Sequence, residues 1–459
     1  MENFFSRKPG LALLLILLFS SVIRFVGLGE KQLWVDEILQ VIHSTPNSIQ
    51  EILKGVAEDR GSAPLDYVVQ HYVMKASGQR NEISARLHSA FFGSISILFI
   101  YFVGLNLFHS RQIALLSSAL YGIYPLHQHY SQEGRPYALF IFLVLVLFAL
   151  YQKLREQFSW QKAALMILLA VASFYTHPYT AMVFAVFVGI ELLHSLKMHR
   201  PVFQKSLFAI IGAGVLGALA FFPWVVFSFH NAHGDSNDWL GWRLVPDMIK
   251  AFGDGSYPLA ILLLALAVFG VIRLKKNRSD SLIDLMCWML VPFPIIFTIL
   301  CWRSYFLNTQ RQLLFITPAI IYCAAYGLNY LLSLHRKFAT LLLVAYPCVC
   351  FVIIGLHFTD KRIDFKGTAA YLRQNIRQDD KVFAPKVDGY LSFYFPEIGK
   401  YEHHSFDQPG SENSRLFIID TRYADANDRR NLDKLQKEPV HQLEFRGIKL
   451  SVLNQEPPP

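Results

Sequence analysis

The chain has 459 residues, of which 53% are hydrophobic and only 17% charged, and its formal net charge is +9. A soluble domain carries about 25% charged residues, and disorder requires low hydrophobicity, so neither a large water-soluble globule nor an unfolded chain fits. The positive balance alone admits nucleic acid, anionic lipid or an acidic substrate, and its location has to decide between them.

Along the chain, apolar runs occur near 10–29, 87–108, 113–125, 137–151, 163–175, 179–194, 206–229, 258–272, 282–301, 312–332 and 338–358. A membrane span takes roughly 20 apolar residues. The runs at 113–125, 137–151, 163–175, 179–194 and 258–272 reach that length only with flanking Tyr, Phe and Pro. The sequence therefore predicts about eleven transmembrane helices over 1–358. Arg7 and Lys8 ahead of the first run also suit a signal peptide. No small-x-small site follows, however, and the run continues through Arg24 to Leu28, so it reads as an uncleaved anchor.

The segments 2–8, 109–112, 152–162, 195–205, 273–281 and 333–338 hold 15 Lys/Arg against three acids, whereas the alternate short loops hold five Lys/Arg. Cytoplasmic loops collect Lys and Arg. The amino terminus is then inside, and the loop 30–86 and residues 359–459 are outside. The last hundred residues carry 16 basic and 16 acidic side chains and predict a small soluble α/β domain. A helix is expected at 365–377, strands at 381–385, 415–419 and 449–453, and a further helix near 426–437. Cys287, Cys301, Cys323, Cys348 and Cys350 all fall in or beside spans, so no disulfide framework is expected.

Chemistry-bearing residues gather on the outer side. Asp36 and Glu37 follow Trp34 directly after the first span, where a carboxylate can take a proton from a bound hydroxyl or can simply be a solvated loop residue. Ser48-x-x-Glu51 resembles a capping box. Ile49, Ile52, Leu53 and Val56, then Leu65, Val68, Val69 and Tyr72, predict two helices, lying in the interface or packed as an external pair. The segment His127-Gln128-His129-Tyr130-Ser131-Gln132-Glu133-Gly134-Arg135-Pro136-Tyr137 is the densest polar cluster between two spans. Arg135 suits a phosphate or an ion pair, and His127 and His129 have metal-ligand chemistry. His177 sits in the short turn 175–179, and loop 230–257 adds His, Asp and Trp residues suited to a sugar or to the interface. Arg303 and Arg311 flank the last outer turn. No phosphate-cradling glycine loop, zinc spacing or nucleotide-binding pattern is present in the sequence.

Four stretches are similar to one family. Trp34-x-Asp36-Glu37 resembles its Asp-Glu motif at the start of the first external loop. Pro64-Leu65-x-Tyr67 with Ala85-Arg86-Leu87-x-Ser89 resembles the passage into the second span. Tyr130 to Tyr137 is close to a Tyr-Ser-Gln-Glu-Ala-Arg-x-Tyr signature, and Arg311-Gln312-Leu313-Leu314-x-x-x-Pro318 to an Arg-Tyr-x-x-x-x-x-Pro motif. Asp364 to Leu372, then Asp380-Lys381-Val382, looks like the start of the carboxy-terminal domain in bacterial members. The family is that of the polytopic GT-C glycosyltransferases, in the family-39-like group of protein O-mannosyltransferases and lipid A aminoarabinose transferases. The chain departs from it at Ser62-Ala63, at His88 and at Gln312, which bears on donor and acceptor specificity.

The resemblance implies transfer of a sugar from a polyprenyl phosphate to an extracytoplasmic lipid, glycan or protein, with inversion. It makes Asp36 the general base, with Glu37 and Glu133 orienting partners. Arg135 and Arg311, with His177 third, would face the donor phosphate, and Tyr137 would line the same region. It further implies a bacterial inner-membrane location, contact with membrane lipid and no nucleic acid. A divalent metal is allowed but not required by the sequence. The alternative from another class is a transporter or flippase of lipid-linked glycans, which would show inverted repeats and ionisable groups at mid-membrane.

Overall fold

A computed structural model describes residues 8–59, 62–198, 205–231, 244–295, 314–359, 362–385, 387–401, 414–422 and 441–454. The expected helix at 426–437, residues 232–243 of loop 230–257 and both Arg303 and Arg311 lie outside them. The chain divides into two compact units, one of 1–28 with 43–358 and one of 29–42 with 359–459.

The first unit is helical. It begins with α1 (Pro9–Phe25) and includes the end of α2 (Val35–Ser44), then α3 (Ile49–Glu58), α4 (Pro64–Ser77), α5 (Glu82–Phe108), α6 (Arg111–Gly122) and α7 (Pro125–Ser131). It continues through α8 (Tyr137–Glu156), α9 (Trp160–Phe174), α10 (Thr180–Met198), α11 (Lys205–Asn231), α12 (Leu244–Phe252), α13 (Tyr257–Asn277), α14 (Ser279–Leu290), α15 (Thr317–Leu334) and α16 (Arg336–His357). Among the described residues seven helices are long and apolar enough to cross a membrane, not about eleven. The runs at 10–29 and 163–175 form helices of 17 and 15 residues, and that at 113–125 falls in one of 12. A continuous apolar run does not by itself say where the helix ends. Ser110 and Ser159 cap α6 and α9 at their starts, and the chain turns soon after each.

Leu14, Leu18, Val22, Leu168, Leu219, Phe222, Val268, Leu341 and Val352 are exposed along their helices, as side chains facing lipid must be. Inside, small residues bring backbones together. A Cβ on Gly270 of α13 would run into the carbonyl of Cys323, and one on Gly327 of α15 into that of Leu266. Close backbone approach at small residues is how helices associate where lipid removes the hydrophobic incentive. At the ends predicted to be cytoplasmic, Arg155 pairs with Glu191 at 3.1 Å and Asp284 at 3.4 Å, and His194 meets Asp284 at 2.7 Å.

Turn chemistry places the outer elements. Pro64 opens α4 where its missing N–H is harmless, and Gly78 closes it at φ 64°. Ser48 is the N-cap of α3 but makes no side-chain cap hydrogen bond, so the expected capping box does not form there. A capping box forms instead at Asn81 and Ser84, ahead of α5. On α4 the buried side chains are Pro64, Asp66, Tyr67, Gln70, His71 and Met74, while Leu65, Val68 and Tyr72 remain partly or largely exposed. The polar face is inside and the apolar stripe outside, which suits a helix lying against hydrocarbon.

The second unit has α17 (Phe365–Asn375), β1 (Lys381–Phe383), α18 (Asp388–Tyr394), β2 (Arg415–Thr421), β3 (His441–Phe445) and β4 (Ile448–Asn454). The sheet order is β1-β2-β4-β3; β1 runs parallel to β2 and the other pairs are antiparallel. The expected helix and three strands are present, and β3 is an element the sequence reading missed. Its alternation is weak, with only intermediate and exposed positions. Asp380 fixes the β1–β2 edge, accepting from the Arg415 guanidinium at 2.7 Å and its backbone N–H at 3.0 Å.

The stretch 29–42 belongs to this unit through specific polar contacts. Leu33 N–H donates to the Tyr394 hydroxyl at 2.7 Å, and Arg362 donates to the Gln32 carbonyl at 2.6 Å and to Glu37 at 2.9 Å.

Two outcomes follow from this packing. Gly327→Leu should lower stability by about 1–3 kcal/mol or more, read as an earlier melting transition in detergent, whereas Gly355→Leu, with nothing within 4 Å, should not. Arg362→Ala leaves Glu37 buried without that partner, a change worth about 3–5 kcal/mol when complete. Limited proteolysis should then cut within 29–42 faster than in the unaltered protein.

Candidate functional site

The outer-face signature is built by α7, the turn after it and the first residue of α8. Its residues serve three different ends. Gln132 donates through Nε2 to the carbonyls of Ile23, Arg24 and Val26 at 3.3, 3.2 and 2.7 Å, and Gln128 donates to Ile23 at 3.2 Å. These side chains satisfy the carbonyl end of α1, which has no intrahelical donors of its own. His127 is fully buried and accepts at Nδ1 from the Arg24 guanidinium at 2.8 Å, since arginine can only donate. Burial first, and Arg24 second, hold its ring far below the usual histidine range, so it is neutral and structural.

Gly134 stands where the family signature has Ala. A Cβ at this position would sit 2.7 Å from the Ala85 carbonyl oxygen and 3.2 Å from the Gln70 amide nitrogen. The exchange lets the turn press against α4 and α5, and Gln70 donates to that same Ala85 carbonyl at 2.8 Å.

Arg135 is drawn toward the loop ahead of α4. Its Nη1 lies 3.3 Å from the Tyr67 hydroxyl, which donates to Asp59 at 2.7 Å, and 3.7 Å from Asp59 itself. The guanidinium is mostly buried, at 11% exposure. Glu133, 3% exposed, faces His129 at 3.4 Å. Arg135 thus reaches another element, whereas Glu133 meets a residue four positions earlier in the same segment.

His177 stands in the turn between α9 and α10. Its ring stacks on Phe140 at 4.8 Å and lies 6.4 Å from the Tyr137 ring. The Tyr179 N–H donates to Nδ1 at 3.2 Å, so the ring proton is on Nε2. Burial, then the charge of Arg135, push His177 down to about 3. Glu133, Arg135, Tyr137 and His177 are thus gathered in the first unit, and His177 is a neutral hydrogen-bond donor. In the same unit an apolar groove of about 310 Å³ is lined by Leu53, Leu65, Val68, Leu168, Val171 and Tyr175 among others.

Asp36 and Glu37 belong to the second unit, in the first turn of α2. Asp36 is half-buried, whereas Glu37 is fully buried against Arg362 and accepts from the Trp34 N–H at 3.3 Å. Glu37 thus holds the segment that carries Asp36. Arg362 was not singled out from the sequence, because a lone arginine 325 residues away carries no local signal. A further group also escaped notice: His129, Asp254 and His357 lie together with potential ligand atoms within 4.8 Å of one another.

The description dolichyl-phosphate-mannose-protein mannosyltransferase belongs to a sequence family that matches residues 62–227. ArnT from Cupriavidus metallidurans in the apo state superposes with TM-score 0.63 at 12% identity, over 96% of this chain and 97% of that one. The same protein bound to undecaprenyl phosphate gives 0.61 at 12% identity, with 96% and 97% covered. The apo oligosaccharyltransferase of Archaeoglobus fulgidus gives 0.57 at 10% identity, over 89% of this chain and 69% of that one. No curated protein sequence matches the chain. At these identities the likeness shows the fold, a polytopic helical membrane protein like ArnT and the oligosaccharyltransferase, and the family match covers 62–227.

The state of His177 gives a pH prediction. An unfolded histidine takes its proton near ~6.5, while folded His177 resists until about 3. Its contribution to stability is then complete above ~6.5 and is lost as pH falls through that window. Melting temperature should fall on acidification, and His177→Gln should flatten the slope between these limits. Equal slopes in both proteins would refute a neutral, buried ring.

Proposed function

We propose that this protein moves a sugar from a polyprenyl-phosphate donor to an extracytoplasmic acceptor that is a lipid, glycan or protein, with inversion at the anomeric carbon. The reading is carried by the family match over 62–227, which includes the Tyr130–Tyr137 signature with Arg135 and Tyr137. It is supported by a fold shared with a protein whose structure holds undecaprenyl phosphate.

The chemistry divides among named groups. Asp36 removes the proton of the acceptor hydroxyl as it attacks, and Glu37, locked to Arg362, fixes the backbone that carries it. Arg135 and Arg311 offset the phosphate charge that grows as the glycosidic bond breaks. A neutral His177 donates from Nε2 to a donor oxygen without adding charge. Glu133 orients its neighbours, and Tyr137 lines the sugar region. The apolar groove beside α4 receives the first part of the polyprenyl chain. The protein sits in a bacterial inner membrane with its amino terminus inside and residues 359–459 outside.

Envelope glycans from cells with and without this chain should differ by one sugar modification, resolved by mass analysis. Identical glycans would remove the reading. With the purified protein, Asp36→Asn should lower transfer by ~10²–10⁴-fold while donor binding persists. Turnover equal to that of the unaltered protein would exclude Asp36 as the base. Arg135→Ala should weaken donor binding, and unchanged donor affinity together with unchanged turnover would exclude its phosphate role.

A further inference from the structure

His129, at the end of α7, Asp254, in the turn before α13, and His357, the last residue of α16, converge on one point of the first unit. His129 Nδ1 lies 3.7 Å from one Asp254 oxygen, and His357 Nε2 lies 3.0 Å from the other. The two imidazoles stand nearly perpendicular, at 74°, with centroids 4.6 Å apart. Two imidazole nitrogens and a carboxylate oxygen are the donor set of zinc and similar divalent transition metals.

One observation beside the spacing points to a ligand. His129 Nδ1 is shielded from solvent yet makes no hydrogen bond among the described residues, the nearer Asp254 oxygen being 3.7 Å away. Buried polar atoms are rarely left so. Asp254 also has a left-handed backbone, at φ 52°, set between two glycines of which Gly255 is at φ 89°. Strain of that kind at a non-glycine residue persists only when surroundings impose it, and it concentrates at ligand sites. Here it turns the carboxylate toward both rings.

We infer that His129 Nδ1, the Asp254 carboxylate and His357 Nε2 form a binding site for one divalent transition-metal ion of the zinc class. Glu133 is the outer carboxylate, taking the Nε2 proton of His129 at 3.4 Å and so fixing which nitrogen faces the metal. Zinc ligands at ~2.0–2.1 Å from the ion stand closer together than 4.8 Å, and rotation of the histidine side chains supplies the contraction. The bound ion ties the outer-face signature, the turn at 253–255 and the end of α16 into one piece. The site does not depend on which sugar or acceptor the protein handles.

The probe is Zn²⁺ added to the full-length, chelator-stripped protein in detergent, followed by calorimetry, by metal content after desalting and by melting temperature. One zinc per chain and a raised melting temperature are expected. His357→Ala and Asp254→Asn should each weaken binding at least ~10-fold and abolish the thermal shift, and Glu133→Gln should weaken it ~10-fold or more. His230→Ala, at an exposed histidine elsewhere on the outer side, should bind like the unaltered protein. X-ray absorption on the zinc-loaded unaltered protein keeps the test open if a variant fails to fold. It should report nitrogen and oxygen ligands at ~2.0–2.1 Å. Failure to retain zinc, a sulfur-dominated spectrum, or undiminished affinity in His357→Ala and Asp254→Asn would overturn the site.

Discussion

The carbonyl end of α1 has to be satisfied at the edge of a bilayer. The last carbonyls of any helix lack partners within it, and in hydrocarbon no water replaces them. Here the donors come from distant parts of the chain. Gln128 and Gln132 reach Ile23, Arg24 and Val26, and Arg86 donates to the Leu28 carbonyl at 2.7 Å. Arg24 turns inward to the carbonyls of Ser20 and Gly122, at 2.8 and 2.7 Å. The first helix is thereby bound to α5, to the end of α6 and to α7. The signature segment can hold Glu133 and Arg135 in place because its glutamines are already committed to that helix end.

This division of labour explains what the sequence could and could not disclose. Long apolar runs and the lysine and arginine asymmetry reveal a membrane bundle, because hydrocarbon acts on every residue of a span in the same way. The cluster at 127–137 is conspicuous because polar groups are rare at that depth. Its inner roles are not legible, since Gln132 as a cap and Glu133 as a partner of His129 have the same local appearance. Glu37 with Arg362, and His129 with Asp254 and His357, join positions far apart in the chain, so no spacing betrays them. Helix count was the weakest expectation, because an apolar run such as 113–125 does not record where Ser110 starts the helix or where the backbone turns.

The α4 helix carries the same lesson in its packing. Read for a soluble protein, Leu65, Val68 and Tyr72 would mark the buried side. In the structure Asp66, Tyr67, Gln70 and His71 are buried instead, and each meets a partner or a tightly packed neighbour. Gln70 holds Ala85, His71 Nδ1 lies 2.9 Å from the Ser44 carbonyl, and Tyr67 links Asp59 to Arg135. Inverting the helix in this way costs little against lipid, and it keeps the hydrogen-bonding groups inside the bundle.

The basic residues from which the sequence predicts an orientation are less available to the membrane than their count implies. Arg155 is engaged by Glu191 and Asp284, Lys197 by Asp280, and Lys153 by Glu156. The basic residues left exposed at this face include Lys275, Lys276, Arg336 and Lys337, at the adjoining ends of α13 and α16. Anionic headgroups would therefore gather along that one edge of the bundle instead of forming an even ring, giving the protein a preferred lipid neighbour on one flank.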